Sequence, residues 1–332
     1  MKRARMGAVI LALVFLAVPV AAHVPSFPVD NTTPERAVAV PDAVKSWSFY
    51  DTVGEGQAKY YRMTLAPGER LQVGTFTPLA SGFTPSLVVM SPSVNGTDDV
   101  PAQVTVPDGM GAVVVDGERP AGASYEPFAP SANYHTAGIT RPVDTETTYL
   151  VAIYDRENRS GPAGVTVGYA EEFALTEYLT VPFDLVRTHL WEGQSILVAI
   201  GPFLLTVFGG GGLLLSRWRS PSGQTAIRVL VGVAGLVILG SGVNTVVQMG
   251  IALSRTGLTS AALVTAAFVV LPVVCGLWIV RFSLSNELTF PPSVRGGLAI
   301  AGVVSLLTWG GFIVAPVVVL VLSLTPGRLL TD

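Results

Sequence analysis

The sequence predicts a mixed fold: an all-β antiparallel sandwich of jelly-roll type over residues 23–170, then an all-α bundle of four transmembrane helices within 194–324. Three observations carry this reading. Charge is segregated: residues 23–193 hold 21 acidic and 10 basic side chains, whereas residues 194–332 hold only seven Arg, Glu287 and Asp332. Short period-two apolar runs fill the first part, and four long uncharged stretches fill the second. The two parts belong in two different solvents.

Residues 1–22 read as a secretory signal. Lys2, Arg3 and Arg5 precede the apolar run Gly7–Val20, and Val20-Ala21-Ala22 supplies the small residues of a cleavage site. The run is short for a bilayer span of about 20 residues. Cleavage after Ala22 leaves His23 as the mature N-terminus; an uncleaved anchor is the alternative.

The β region follows. Tyr61, Met63 and Leu65 alternate with Tyr60, Arg62 and Thr64, Ala66-Pro67-Gly68-Glu69 makes a turn, and Leu71 and Val73 open the next strand. Further strands are expected at Ser86–Met90, Gly111–Val115, Thr148–Tyr154 and Gly164–Tyr169. The only cysteine, Cys275, lies in a late apolar run, so no disulfide braces this region. Residues 171–193 read as an amphipathic connector of two short helices, interrupted at Pro182 and lying near the membrane surface.

Spans are expected at 195–216, 227–253, 258–280 and 296–324, with a short outer tail at 325–332. With the β region outside, Arg217, Arg219, Arg228, Arg281 and Arg295 fall in inner loops and Arg255 and Arg328 fall outside, as the positive-inside rule requires. Small residues such as Gly209 and Gly235 allow close helix approach. Asn244 and Gln248 share one helix face, to bond a neighbouring span or to form a polar site. The spans hold no internal Asp, Glu, Lys or His, which disfavours ion-coupled transport.

The stretch from Ala58 to Leu71, with its aromatic strand, Pro-Gly turn and second strand, resembles bacterial pre-peptidase C-terminal (PPC-like) domains. Thr147–Ile153 and Gly161–Tyr169 resemble that family's closing strands, while Tyr125–Pro130 lies in an insertion without counterpart there. The likeness covers about 110 residues and implies a β-sandwich. Lys45–Trp47, Tyr60–Tyr61 and Trp191–Gln194 give the whole chain a layout similar to uncharacterised prokaryotic membrane proteins of archaeal type, which implies an architecture and no activity.

Candidate sites are few. No nucleophile elbow, phosphate loop or Cys/His metal cluster is present, so no catalytic residue is assigned. A mature His23 carries an amine and an imidazole on one residue, and with His135 it offers a three-nitrogen copper site; an ordinary N-terminus is the other reading. Tyr125, Phe128 and Tyr134 form either a surface for sugars or peptides or a plug for the sandwich end. Asp98-Asp99 and Asp155/Glu157 are either calcium ligands or solvated turns. Asn31, Asn95 and Asn158 begin glycosylation sequons, which also suit turns.

The expected function is a multi-pass cell-membrane protein with an extracytoplasmic domain that binds or interacts. Its partners would be membrane lipid, other membrane subunits, or an envelope glycan or protein. A copper protein or metalloenzyme subunit is the second class, and a transporter or channel component the third. The acidic outer half excludes nucleic acid.

Overall fold

The computed structural model describes residues 23–97, 99–217 and 225–326. The expected signal (1–22), Asp98, Arg219 and Arg328 lie outside the described residues. Strands and helices separate along the chain as the charge pattern does. Among the described residues the strands are β1 (Val24–Ser26), β2 (Val38–Ala39), β3 (Trp47–Val53), β4 (Ala58–Leu65), β5 (Arg70–Thr77), β6 (Pro85–Ser91), β7 (Gly111–Val115), β8 (Ser124–Glu126), β9 (Ser131–Pro142), β10 (Thr147–Asp155) and β11 (Gly161–Val167).

They form two sheets, ordered β1-β3-β11-β5-β9-β8 and β2-β4-β10-β6-β7. Period-two alternation sends Phe49, Leu71, Val73 and Val165 of the first sheet, and Tyr61, Met63, Leu87, Val151 and Ile153 of the second, into one core. The other face of the second sheet is also covered. Tyr60, Val88, Met90, Leu150 and Tyr154 pack beneath Val104, and the Thr105 N–H donates to the Tyr60 hydroxyl at 2.8 Å. The pairing is not wholly antiparallel, as the sequence reading had it: the short edge strands β1 and β2 run parallel to β3 and β4.

Six helices follow: α1 (Leu175–Trp191), α2 (Ile196–Arg217), α3 (Thr225–Thr256), α4 (Ala262–Ser283), α5 (Pro292–Leu307) and α6 (Val314–Leu324). The expected two-helix connector is instead the single helix α1, with Pro182 inside it. Proline cannot donate to the carbonyl four residues back, which here belongs to Tyr178. The indole N–H of Trp309 takes that carbonyl at 3.0 Å, so the turn survives. The same occurs in α2: Pro202 leaves the Val198 carbonyl free, and the Gln248 amide donates to it at 3.1 Å.

Among the described residues three helices, α2, α3 and α4, are long and apolar enough to cross a membrane, rather than four. The expected span 296–324 is broken at Thr308–Ile313, where Trp309, Gly311, Phe312 and Ile313 have φ of 50°, 91°, 53° and 65°. Left-handed backbone in four of these residues ends one helix and starts another. The halves fold back on each other. The Arg295 guanidinium, at the start of α5, donates to the Ser323 and Leu324 carbonyls at the end of α6, at 2.9 and 3.0 Å. Arg228 likewise donates to the Ser283 carbonyl at the end of α4, at 2.7 Å. Both cations sit where helix C-termini leave carbonyls unpaired.

Helices α3 and α4 touch through glycine. A Cβ on Gly276 would lie 2.6 Å from the Leu239 nitrogen, and one on Gly235 2.8 Å from the Val280 nitrogen, whereas one on Gly209 would meet only Leu205, at 3.9 Å. Gly276→Ala should therefore destabilise the detergent-solubilised protein by about 1–3 kcal/mol through overpacking, with Gly209→Ala unchanged. Equal thermal shifts for the two variants would refute this packing.

Candidate functional site

The β region and the helices meet along a seam built by specific bonds. The Tyr125 hydroxyl of β8 donates to Thr265 Oγ1 on α4, whose hydroxyl donates to the Pro127 carbonyl, both at 2.8 Å. The Trp191 indole donates to the Asp51 carbonyl at 2.6 Å. Lys45 pairs with Glu177, and Arg255 donates to the Pro78 carbonyl. Phe128 lies 5.1 Å edge-to-face against Trp309 and 6.0 Å from Phe173, ring centre to ring centre.

A cavity of about 90 Å³ opens in this seam. Its apolar wall includes Phe128, Phe268, Trp309 and Phe312, and its polar wall includes His189, Asn244 and Gln248. Asn244 Nδ2 is fixed on the Ala199 carbonyl at 3.0 Å, leaving Oδ1 buried and without a partner among the described residues. Gln248 accepts from Gln194 at 2.8 Å, Gln194 also donates to Glu192 at 3.4 Å, and Glu192 faces His189 Nδ1 at 3.1 Å. The predicted Asn244/Gln248 pair thus bonds the neighbouring helix α2 and also lines a cavity.

A second cavity, of about 30 Å³, is lined by His23, Ser48, Tyr50, Phe76, Glu126, Phe128, Ala129, Asn133, His135 and Thr166. A β-bulge creates it. The β5–β9 register shifts after Thr75, so that Thr75 pairs Ala137 while Phe76 pairs His135. The extra residue, Thr136, turns inward to bond Thr75 Oγ1 at 2.9 Å and the Pro85 carbonyl at 2.6 Å. Without that shift, alternation from the core residues Ile139 and Ala137 would aim His135 into the core. Instead it lies beside Phe76, ring centres 5.8 Å apart, and is exposed on one side.

Charge is disfavoured in this cavity. Burial and the neighbouring His135 lower His23 to about 4. Burial raises Glu126 to about 7, against the pull of the Phe128 N–H and with the help of Glu171. His23 Nδ1 touches Ser46 Oγ.

The structure brings His23 and His135 together but not the aromatic trio. Tyr125 and Phe128 are committed to the helices, while Tyr134 lies beneath Arg119, 5.3 Å from ring centre to guanidinium. Asn31 is 0% exposed, its amide donating to the Tyr60 carbonyl and accepting from Lys59, so a glycan does not fit there; Asn95 and Asn158 are exposed. No group of three or more His, Cys, Asp or Glu side chains suited to a metal occurs among the described residues. Sequence reasoning missed Tyr50, Glu126, His189, Glu192 and Trp309. Of these only Trp309, an indole inside an apolar stretch ahead of Gly310-Gly311, carried a local signal.

Asp155, a calcium candidate, is already occupied. It accepts from Arg159 Nε and a terminal guanidinium nitrogen at 3.0 and 2.9 Å, and from the N–H groups of Thr84, Glu157 and Arg159. No protein-family model matches this chain, and no curated protein matches it.

Burial alone would raise the Asp155 carboxyl, and the bonds from Arg159, Thr84 and Glu157 more than offset it, so the folded value lies below that of a free aspartate. Its stabilisation is therefore full above about pH 4, the unfolded value, and fades as pH falls through the lowered folded value. Asp155→Asn should lower the melting temperature at pH 7 and flatten the loss of stability in acid. Parallel wild-type and mutant curves down to about pH 3 would remove Asp155 from this role.

Proposed function

We propose that this chain is a membrane-anchored extracytoplasmic binding protein. Its two sheets form a PPC-like sandwich outside the lipid, its helices cross the bilayer several times, and a small ligand binds in the seam between them. The observation that carries this is the 90 Å³ cavity lined by Phe128, Phe268 and Trp309 and by Asn244, whose Oδ1 is buried without a donor among the described residues. Such an oxygen is costly to bury unpaired, and a small molecule with one donor group and an apolar body meets both walls. Drug-sized ligands, which fill about 300 Å³ or more, exceed this space.

Native mass spectrometry of protein extracted from its own membrane should show one small molecule per chain. Asn244→Leu should lose it while keeping folding stability within about 2 kcal/mol of wild type. A wild-type protein carrying no adduct would retire the seam as a binding site.

The hairpin of α5 and α6 bears on sidedness. Its two ends meet at Arg295, so in this reading Leu324 lies on the same side as Arg295 instead of the opposite one. Arg217, Arg228, Arg281 and Arg295 then lie inside and Arg255 outside, in keeping with the positive-inside rule. A reporter fused after Asp332 should be cytoplasmic and one inserted at Thr105 extracytoplasmic. Finding both on the same side would overturn the topology.

A further inference from the structure

We propose that removal of the signal after Ala22 builds a copper(II) site from three nitrogens: the α-amine and Nδ1 of His23, and the imidazole of His135. This site lies outside the seam cavity and depends on neither Asn244 nor that cavity's contents.

Two independent lines meet at residue 23. The small residues Val20-Ala21-Ala22 place the cleavage there, and strand β1 begins at the next residue. The Val24 N–H donates to the Ser46 carbonyl at 2.9 Å, and Val24 pairs in register with Trp47. A new terminus at His23 is therefore held by the sheet from its second residue onward. Its α-amine and Nδ1 belong to one residue and close a six-membered chelate ring. The bulge then delivers His135, distant in sequence, to the same 30 Å³ cavity.

The donor set selects the metal. Amine and imidazole nitrogens suit late first-row divalent ions, among which affinity peaks at Cu²⁺, and three nitrogens with an open position suit its tetragonal geometry. Thiolate is absent, since Cys275 lies on α4. Glu126 lines the same cavity. Asn133, 6% exposed, lines the same cavity, and its Oδ1 has no partner among the described residues. The volume suits an ion with one or two waters, each needing about 10–15 Å³ of such space. Ser46 Oγ now contacts His23 Nδ1, so copper binding requires the Ser46 side chain to turn about χ1 and give up that contact. Binding forms three Cu–N bonds and releases the ammonium proton to solvent; copper remains Cu(II), so no reductant or oxidant enters.

The test uses the full chain, exported and purified in detergent, with its N-terminal mass determined and Cu(II) chloride as probe. Expected are a mature start at His23, one Cu(II) per chain, and electron paramagnetic resonance showing nitrogen coupling. His23→Gln and His135→Ala should each weaken binding by more than about 100-fold, the upper range for losing only an outer partner of a ligand. Ala22→Leu, which retains the signal and alters no ligand side chain, should weaken it equally while circular dichroism stays unchanged. Undiminished binding in Ala22→Leu or His135→Ala, tighter binding of Zn²⁺ than Cu²⁺, or a start elsewhere than His23 would overturn the proposal.

Discussion

Of the three carbonyls set free by prolines inside helices, those of Tyr178 and Val198 take a side-chain donor from another part of the chain, and these two bonds govern how the helices are arranged. In lipid no water is available to an unpaired backbone oxygen, so each one needs a donor from the protein. Pro182 leaves the Tyr178 oxygen open and Trp309 fills it; Pro202 leaves the Val198 oxygen open and Gln248 fills it. An interior proline costs a helix about 3 kcal/mol, and a donor at the freed carbonyl returns part of that only if it arrives from one direction. The two prolines therefore act as addresses. One fixes the turn between α5 and α6 against α1, and the other fixes α3 against α2.

From Gln248 the constraint passes outward through bonds, not through loose packing. Its oxygen holds Gln194, which reaches Glu192 and, through it, His189. The neighbouring Trp191 donates to the Asp51 carbonyl, while the Asp51 carboxylate accepts from the Tyr61 hydroxyl at 3.0 Å and pairs with Lys59 at 3.0 Å. Tyr61 stands in the shared core of the sheets. A continuous run of bonded, mostly buried groups thus links the lipid-facing helices to the centre of the β region. Such groups are expensive to leave half satisfied, which gives the seam one preferred geometry and keeps its cavities from being closed by rotation of the sheets.

How much was legible in the sequence follows from which forces act locally. The alternation of buried Tyr61, Met63 and Leu65 with exposed Arg62 and Thr64 identified β4, and the apolar run at Thr148–Tyr154 identified β10, which is buried on both faces. Charge segregation identified the helical half. Strand β9 escaped because Asn133, His135, Thr136 and Gly138 present no apolar alternation. Its pairing comes from β5, a partner remote in sequence. The continuity of α1 through Pro182 escaped for the same reason, since the compensating donor is Trp309. The break at Thr308–Ile313 was hidden by uniform hydropathy: Trp309, Phe312 and Ile313 read as membrane helix although their backbone is left-handed. Asn31 looked like a surface turn, and only the Lys59 and Tyr60 contacts reveal it as buried.

Where local pattern fails in this chain, the failures lie close together. The unreadable strand, the unreadable proline and the unreadable turn all border the seam, and Phe128 forms a wall of both cavities there. A strand segment of ordinary pattern would have aimed an apolar side chain into the core at position 135; the bulge sacrifices that contact and presents an imidazole to the far face of the sheet. Thr136 then spends its hydroxyl on Thr75 and the Pro85 carbonyl, so the extra residue leaves no unpaired group behind. A local departure from the rules, compensated bond by bond, is the physical mark of a site rather than of a stabilising element. On that ground the bulge, which turns His135 to the outer face of the six-stranded sheet, is the local feature on which the copper proposal rests.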